Sequence, residues 1–229
     1  FENIISRMLG VPTEIAGSGR TDAGTHAMGQ VANFKGKTEM TAEEIKLYIN
    51  KYLPSDIAVL DVSEAEERFH SRLNAKRKTY IYKIHNSSVS DVFNQRFVFN
   101  YSPKLNIENM KKAADALCGE HDFTSFCSNK RYKKSKVRTV YSIDIEKNGC
   151  DITMTFTGNG FLYNMVRIIA GTLFDVGIGK IAPEDIPVIL EKKDRKAAGP
   201  TAPAHGLTMI GIEYEIPPES LMEVQVERT

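Results

Sequence analysis

From Lys78 onward the chain keeps one order of periods, and that order limits the possible folds more than anything in the composition. Tyr80, Tyr82 and Ile84 alternate with Thr79, Ile81 and Lys83, which is the two-residue period of a strand. Ile107, Met110, Ala114 and Leu117 then share a helical face, and Gly119 stands in the C′ position that closes such a helix. Residues 137–146 and 151–157 read as two strands joined through Asn148-Gly149, a type I′ hairpin signal. Two helices, about 163–176 and 183–192, lead to a last strand at Leu207–Tyr214.

The first part of the chain repeats this order without its opening strand. Phe1, Ile4, Ile5 and Met8 mark an amphipathic helix ending near Gly10, followed by short strands near 14–16 and 30–34. Thr41 and Glu44 form a capping box for a helix carrying Ile45, Tyr48, Ile49 and Tyr52, and 57–62 reads as a strand. The expectation is an α+β fold in which two ferredoxin-like halves form one largely antiparallel sheet flanked by helices. The halves are 1–68 and 69–229, with 87–104 as a long connection in the second and a strand expected to precede Phe1.

At 229 residues, 41% hydrophobic and 26% charged, the chain is neither disordered nor a coiled coil. Its longest apolar stretch, 161–178, is interrupted by Arg167 and Asp175, which argues against a transmembrane helix, and the given residues carry no secretory signal, although one could precede Phe1. Three cysteines without a CxxC pair suit reduced thiols in a cytoplasm. The five histidines show no metal-ligand spacing, so no metal is expected.

Residues 17–24, Gly-Ser-Gly-Arg-Thr-Asp-Ala-Gly, hold three glycines and present Arg20 and Asp22. Either Asp22 caps backbone N–H groups in a turn, or the carboxylate is functional; a phosphate cradle fits neither the spacing nor the charge. Arg167 lies in an otherwise mostly apolar helix, with Ala170 and Gly171 as small neighbours that would let another backbone come close. Either it snorkels to the surface, or it is buried against a carboxylate, for which Asp22 is the candidate and which would then stay ionised. Tyr80 and Tyr82 are either core or a stacking surface for an unpaired base, and Arg72, Lys76, Arg77 and Lys78 precede them. Lys130, Arg131, Lys133, Lys134, Lys136 and Arg138, interleaved with Tyr132, are either a solvated loop or a phosphate-backbone contact.

Residues 19–31, GRTDAGTHAMGQV, closely resemble the GRTDAGVHA…GQV motif of the tRNA pseudouridine synthase A family. Phe69-His70-Ser71-Arg72 with Ala75 and Tyr80-Ile81-Tyr82, the stretch 122–126 (DFTSF), Gly160-Phe161-Leu162 with Met165-Val166-Arg167 and Gly171, and the stretch 198–207 match further family motifs in order. The resemblance covers essentially the whole chain. It implies a cofactor-independent isomerase that converts uridine to pseudouridine at positions 38, 39 and 40 of the tRNA anticodon stem-loop, working in the cytoplasm as a homodimer with RNA in a basic cleft.

Carried over by position, the resemblance makes Asp22 the catalytic aspartate and Arg167 its partner. It sets Tyr80 against the target uracil, has Arg20 hold the flipped nucleotide, and makes Leu207 an apolar wall. Lys78-Thr79 stand where relatives often carry arginine, which leaves open the basic residue that touches RNA there. A non-catalytic RNA-binding module of the RRM kind is the main competing reading, and a nucleotide-binding enzyme using the Gly-rich loop a weaker one.

Overall fold

The computed structural model describes residues 1–129, 131 and 133–215. In chain order the elements are α1 (Glu2–Leu9), β1 (Ala16–Gly17), β2 (His26–Ala27), β3 (Ala32–Asn33), α2 (Ala42–Tyr52), β4 (Ala75–His85), β5 (Phe99–Asn100), α3 (Ile107–Leu117), β6 (Gly119–Asp122), β7 (Val137–Asn148), β8 (Asp151–Gly158), α4 (Met165–Gly177), α5 (Ile186–Lys192) and β9 (Leu207–Tyr214). The chain divides into two compact units. One comprises Phe1–Arg20 and Val31–Asn74; the other comprises Thr21–Gln30 and the described residues from Ala75 onward.

In the first unit, the apolar stripes of α1 and α2 meet through Ile5, Ile45 and Ile49, flanked by Met8, Leu9 and Phe34. The capping box forms as expected: Thr41 Oγ1 accepts from Glu44 N at 3.3 Å, and the Glu44 carboxylate accepts from Thr41 N at 2.7 Å. β1 and β3 pair antiparallel, and the buried Ser71 ties the end of the unit to them, donating through Oγ to Ala16 O at 2.6 Å and through N to Asn33 Oδ1 at 2.8 Å. The expected strand at 57–62 forms no ladder. Its backbone finds a side chain instead, because the Asn50 amide takes both the N–H and the C=O of Val59, each at 2.8 Å. That double bond replaces the pairing a neighbouring strand would supply.

In the second unit, the sheet order is β2-β9-β4-β8-β7-β6, with β5 continuing the β9 edge of β4 at Ile84 and His85. Strand β4, first of the βαββαβ series, lies between β9 and β8, the arrangement of a split βαβ unit. All pairings are antiparallel except β2 on β9 and β5 on β4. The α+β class with a largely antiparallel sheet and flanking helices is therefore what the sequence pattern led one to expect. Alternation decides which face is covered: Tyr82, Ile84, Ile152, Met154 and Phe156 are buried in one cluster with Met110, Ala113 and Leu117 of α3 and with α4. Helix α4 is apolar nearly all round and correspondingly buried.

The β7–β8 hairpin differs from expectation in detail. Asn148 pairs with Asp151, so the loop is Gly149-Cys150, and Gly149 has φ +60° while Cys150 keeps an ordinary negative φ. A positive φ at the first loop position alone is the pattern of a type II′ turn, so glycine is required there and asparagine serves as the last strand residue. Among the described residues, no helix is long and apolar enough to cross a membrane.

Candidate active site

Helix α4 delivers Arg167 one turn from its start, and the side chain does not snorkel. Nε donates to Ala202 O at 2.7 Å, and Nη1 donates both to Asp22 Oδ2 at 2.8 Å and to Asn164 Oδ1 at 3.1 Å. Side-chain exposure is 17% for Arg167 and 24% for Asp22, so the pair is largely withdrawn from water, where a charge without a partner would be costly. The alternative of Asp22 as a backbone-capping turn residue is not realised through this oxygen.

Small residues make that position available. A Cβ on Gly171 would collide with Pro200 O, so only glycine lets residues 198–203 lie against the helix. The contact is fastened by Gly199 N donating to Thr172 Oγ1 at 2.9 Å and by Ala202 N donating to Arg167 O at 3.0 Å. Arg195 braces the same stretch, donating to Gly199 O at 2.8 Å and to Thr201 Oγ1 at 3.1 Å. On the Asp22 side, Thr25 N donates to Asp22 O at 3.0 Å, after which β2 pairs with β9 and Met28 N donates to Met209 O at 2.8 Å. Among the described residues, only Oδ2 of the Asp22 carboxylate is engaged; Oδ1 has no partner.

Tyr80 lies on β4 opposite Phe156 of β8 and Met209 of β9. It is half-buried, meets Phe161 edge-on at 5.3 Å between centroids, and its phenol is pushed up to about 12 by desolvation. The group is a neutral, largely apolar wall at ordinary pH. Tyr82 is core: it is fully buried, its hydroxyl donates to Pro203 O at 2.8 Å, and burial raises its pKa. Leu207 is buried opposite Tyr82 in the β4–β9 register.

Of the basic run, Arg131, Lys133, Lys134 and Lys136 precede β7 and Arg138 lies on it. Arg131, Lys133 and Lys134 are exposed, while Lys130 and Tyr132 lie outside the described residues. Lys136 is half-buried, and its carbonyl accepts from Phe123 N at 3.1 Å. Arg138 donates to Val137 O at 2.6 Å and Ser135 O at 3.0 Å, and its Nε lies beside Gly160, next to the Phe161 that packs on Tyr80. Of the basic residues before Tyr80, Lys76 is paired with Glu215 at 2.6 Å and Arg77 with Glu213 at 3.6 Å, which compensates much of that positive charge. Arg20 and Arg72 belong to the first unit and are both exposed.

Comparison with known proteins decides the family. The tRNA pseudouridine synthase family pattern matches residues 2–74 and 113–215. The chain is 49% identical over 214 residues to "tRNA pseudouridine synthase A" of Bacillus sp. (strain KSM-64), covering 93% of this chain and 87% of that one. It is 46% identical to "tRNA pseudouridine synthase A 2" of Bacillus anthracis with the same coverage. It is also 46% identical over 201 residues to "tRNA pseudouridine synthase A" of Bacillus subtilis (strain 168), covering 88% and 81%. The chain belongs to the tRNA pseudouridine synthase family. It is therefore an isomerase, as the motifs implied.

Against the RRM alternative stands the direction of the strand aromatics. Tyr80 and Tyr82 face the helices, whereas an RRM presents such aromatics on the open face of its sheet. Two polar residues escaped the sequence reading: Asn164, which fell inside the helix expected over about 163–176, and Ser128, which carries no pattern at all. Thr25 is a third departure, standing where the family's GRTDAGVHA motif has valine. Its Oγ1 is buried without a partner among the described residues. An orphaned buried hydroxyl costs about 1–3 kcal/mol, so Thr25→Val, which keeps the shape, is expected to stabilise the protein by about 1 kcal/mol and raise Tm by about 2–4 °C. A thermal melt showing no rise would mean that the hydroxyl is solvated.

Proposed function

We propose that this chain isomerises uridine to pseudouridine at positions 38, 39 and 40 of the tRNA anticodon stem-loop, with Asp22 as the reacting carboxylate. The reading is supported chiefly by one observation: Asp22 and Arg167, from motifs far apart in the chain, meet at 2.8 Å in a largely dehydrated site. In the reaction the bond from N1 to the ribose C1′ breaks, the uracil turns, and C5 bonds to C1′; the C5 proton leaves and N1 takes up a proton. Atoms and electrons balance without an oxidant, reductant or cofactor.

The target base must leave its stack, at a cost of a few kcal/mol, and the apolar ring of Tyr80 offers a surface that offsets this, with Leu207 assigned as a further apolar wall. Arg167 fixes one carboxylate oxygen of Asp22 and leaves Oδ1 for the nucleotide, acting either as nucleophile or as base. Arg20 is assigned to the flipped nucleotide. Arg72 and the run Lys130, Arg131, Lys133, Lys134, Lys136 and Arg138 are assigned to tRNA phosphates, which dominate affinity in such complexes. The same reading takes 1–68 and 69–229 as the two ferredoxin-like halves of each protomer, and two protomers as a cytoplasmic homodimer.

The test is release of tritium from a tRNA transcript labelled at uracil C5. Release is expected from a transcript with uridine at 38, 39 or 40 and not from one with cytidine at all three and uridines elsewhere. Equal release from both would overturn the site assignment.

A further inference from the structure

We infer that Asn164 is a positioning residue for the proposed isomerisation, holding Arg167 so that it engages Asp22 through one oxygen and leaves the other open; this rests on the reading above. Asn164 precedes α4 with φ +61° and ψ 8°, one of only two non-glycine residues in the left-handed region among the described residues. A residue with a Cβ pays for that conformation, and such strain persists where the surroundings hold it. Asparagine in front of a helix ordinarily caps it, yet this side chain makes no capping bond.

The amide is used sideways instead. Oδ1 accepts from Arg167 Nη1 at 3.1 Å, and Nδ2 donates to Ser128 Oγ at 2.8 Å. The orientation is fixed by chemistry, because a guanidinium has only donors and must face the amide oxygen. Ser128 is itself tied to the same place, its backbone N donating to Tyr163 O at 3.3 Å. Arg167 thus has three acceptors, Ala202 O, Asn164 Oδ1 and Asp22 Oδ2, which set the plane of its fork.

Arginine and a carboxylate prefer a two-bond, fork-to-fork pairing when nothing opposes it. Here Nη1 is shared between Asp22 and Asn164, and the pair is single. Without Asn164 the fork turns toward both oxygens of Asp22 and occupies the one the nucleotide needs. The predicted defect lies in turnover, since neither Asn164 nor Arg167 is among the residues assigned to tRNA phosphates.

The discriminating variant is Asn164→Gly, because glycine takes the left-handed backbone freely and leaves the helix start intact. Tritium release at saturating tRNA is expected to fall about tenfold in kcat, equivalent to about 1.4 kcal/mol, with KM within about twofold and no loss of Tm. Ser128→Ala should give a smaller fall, and the double variant should be no slower than Asn164→Gly, because both act through one chain of bonds. A kcat within twofold of wild type would overturn the role of Asn164 while leaving the isomerase reading standing. Parallel losses of kcat, affinity and Tm would overturn it too, by reducing Asn164 to part of the helix start. No release by wild type would overturn the isomerase reading and this inference together.

Discussion

Asp22→Asn is expected to bind tRNA within a few-fold of wild type and to release tritium from C5-labelled substrate at least about a thousandfold more slowly, a loss of about 4 kcal/mol of transition-state stabilisation. The substitution is isosteric, and the amide oxygen still accepts from Arg167, so the geometry at 2.8 Å has little reason to change. What disappears is the negative charge and the nucleophilic or basic oxygen. Affinity should hold because phosphate contacts dominate binding to nucleic acid, and Asp22 makes none. Filter binding and tritium release on the same preparation separate the two effects. Turnover by Asp22→Asn within tenfold of wild type would remove Asp22 from the chemistry; lost binding with unchanged single-turnover rate would make it a recognition residue.

The fold was legible wherever a periodic pattern coincided with a punctuating residue. Helix α3 runs over Ile107–Leu117 and is followed by Gly119 at φ +101°, and β9 occupies Leu207–Tyr214, the range read for the last strand. The pattern misled at 57–62, because a short run of apolar and β-branched residues suits an extended segment and says nothing about whether a ladder partner exists. Asn50 supplied that partner from a helix, which no local window contains. Strands β5 and β6 are too short to show a period, and each exists only because β4 or β7 presents a free edge to it.

Legibility of the site followed the same division. A lone arginine in an apolar helix posed a question of charge, and Gly171 announced a close backbone approach, so the Asp22–Arg167 pairing was available as an argument about burial. Asn164 offered no such question, since the helix expected over about 163–176 took it in as an ordinary polar residue of the first turn. Only its φ of +61° and the two bonds of its amide reveal the other use. Thr25 was hidden for a different reason: threonine and valine have the same outline, and a sequence does not show that a hydroxyl lacks a partner.

Arg167→Ala should be the most destabilising single change in the site, by about 2–4 kcal/mol, and should be as inactive as Asp22→Asn. Breaking a fully buried pair by removing one partner costs about 3–5 kcal/mol, and residual exposure of both groups reduces this through solvent screening. The guanidinium also satisfies Ala202 O, so its loss frees the stretch 198–203 that Gly171 admits to the helix. Arg167→Lys keeps the charge but offers neither the fork nor the bond from Nε, and it should recover part of the stability with little of the activity. The decisive comparison is the double variant Asp22→Ala with Arg167→Ala. If the two charges are coupled through the 2.8 Å contact, urea unfolding should show the double variant less destabilised than the sum of the singles, by about 1 kcal/mol or more. Strict additivity would mean that the two side chains stabilise the protein independently, and Arg167 would then be there for the backbone of Ala202 rather than for the carboxylate of Asp22.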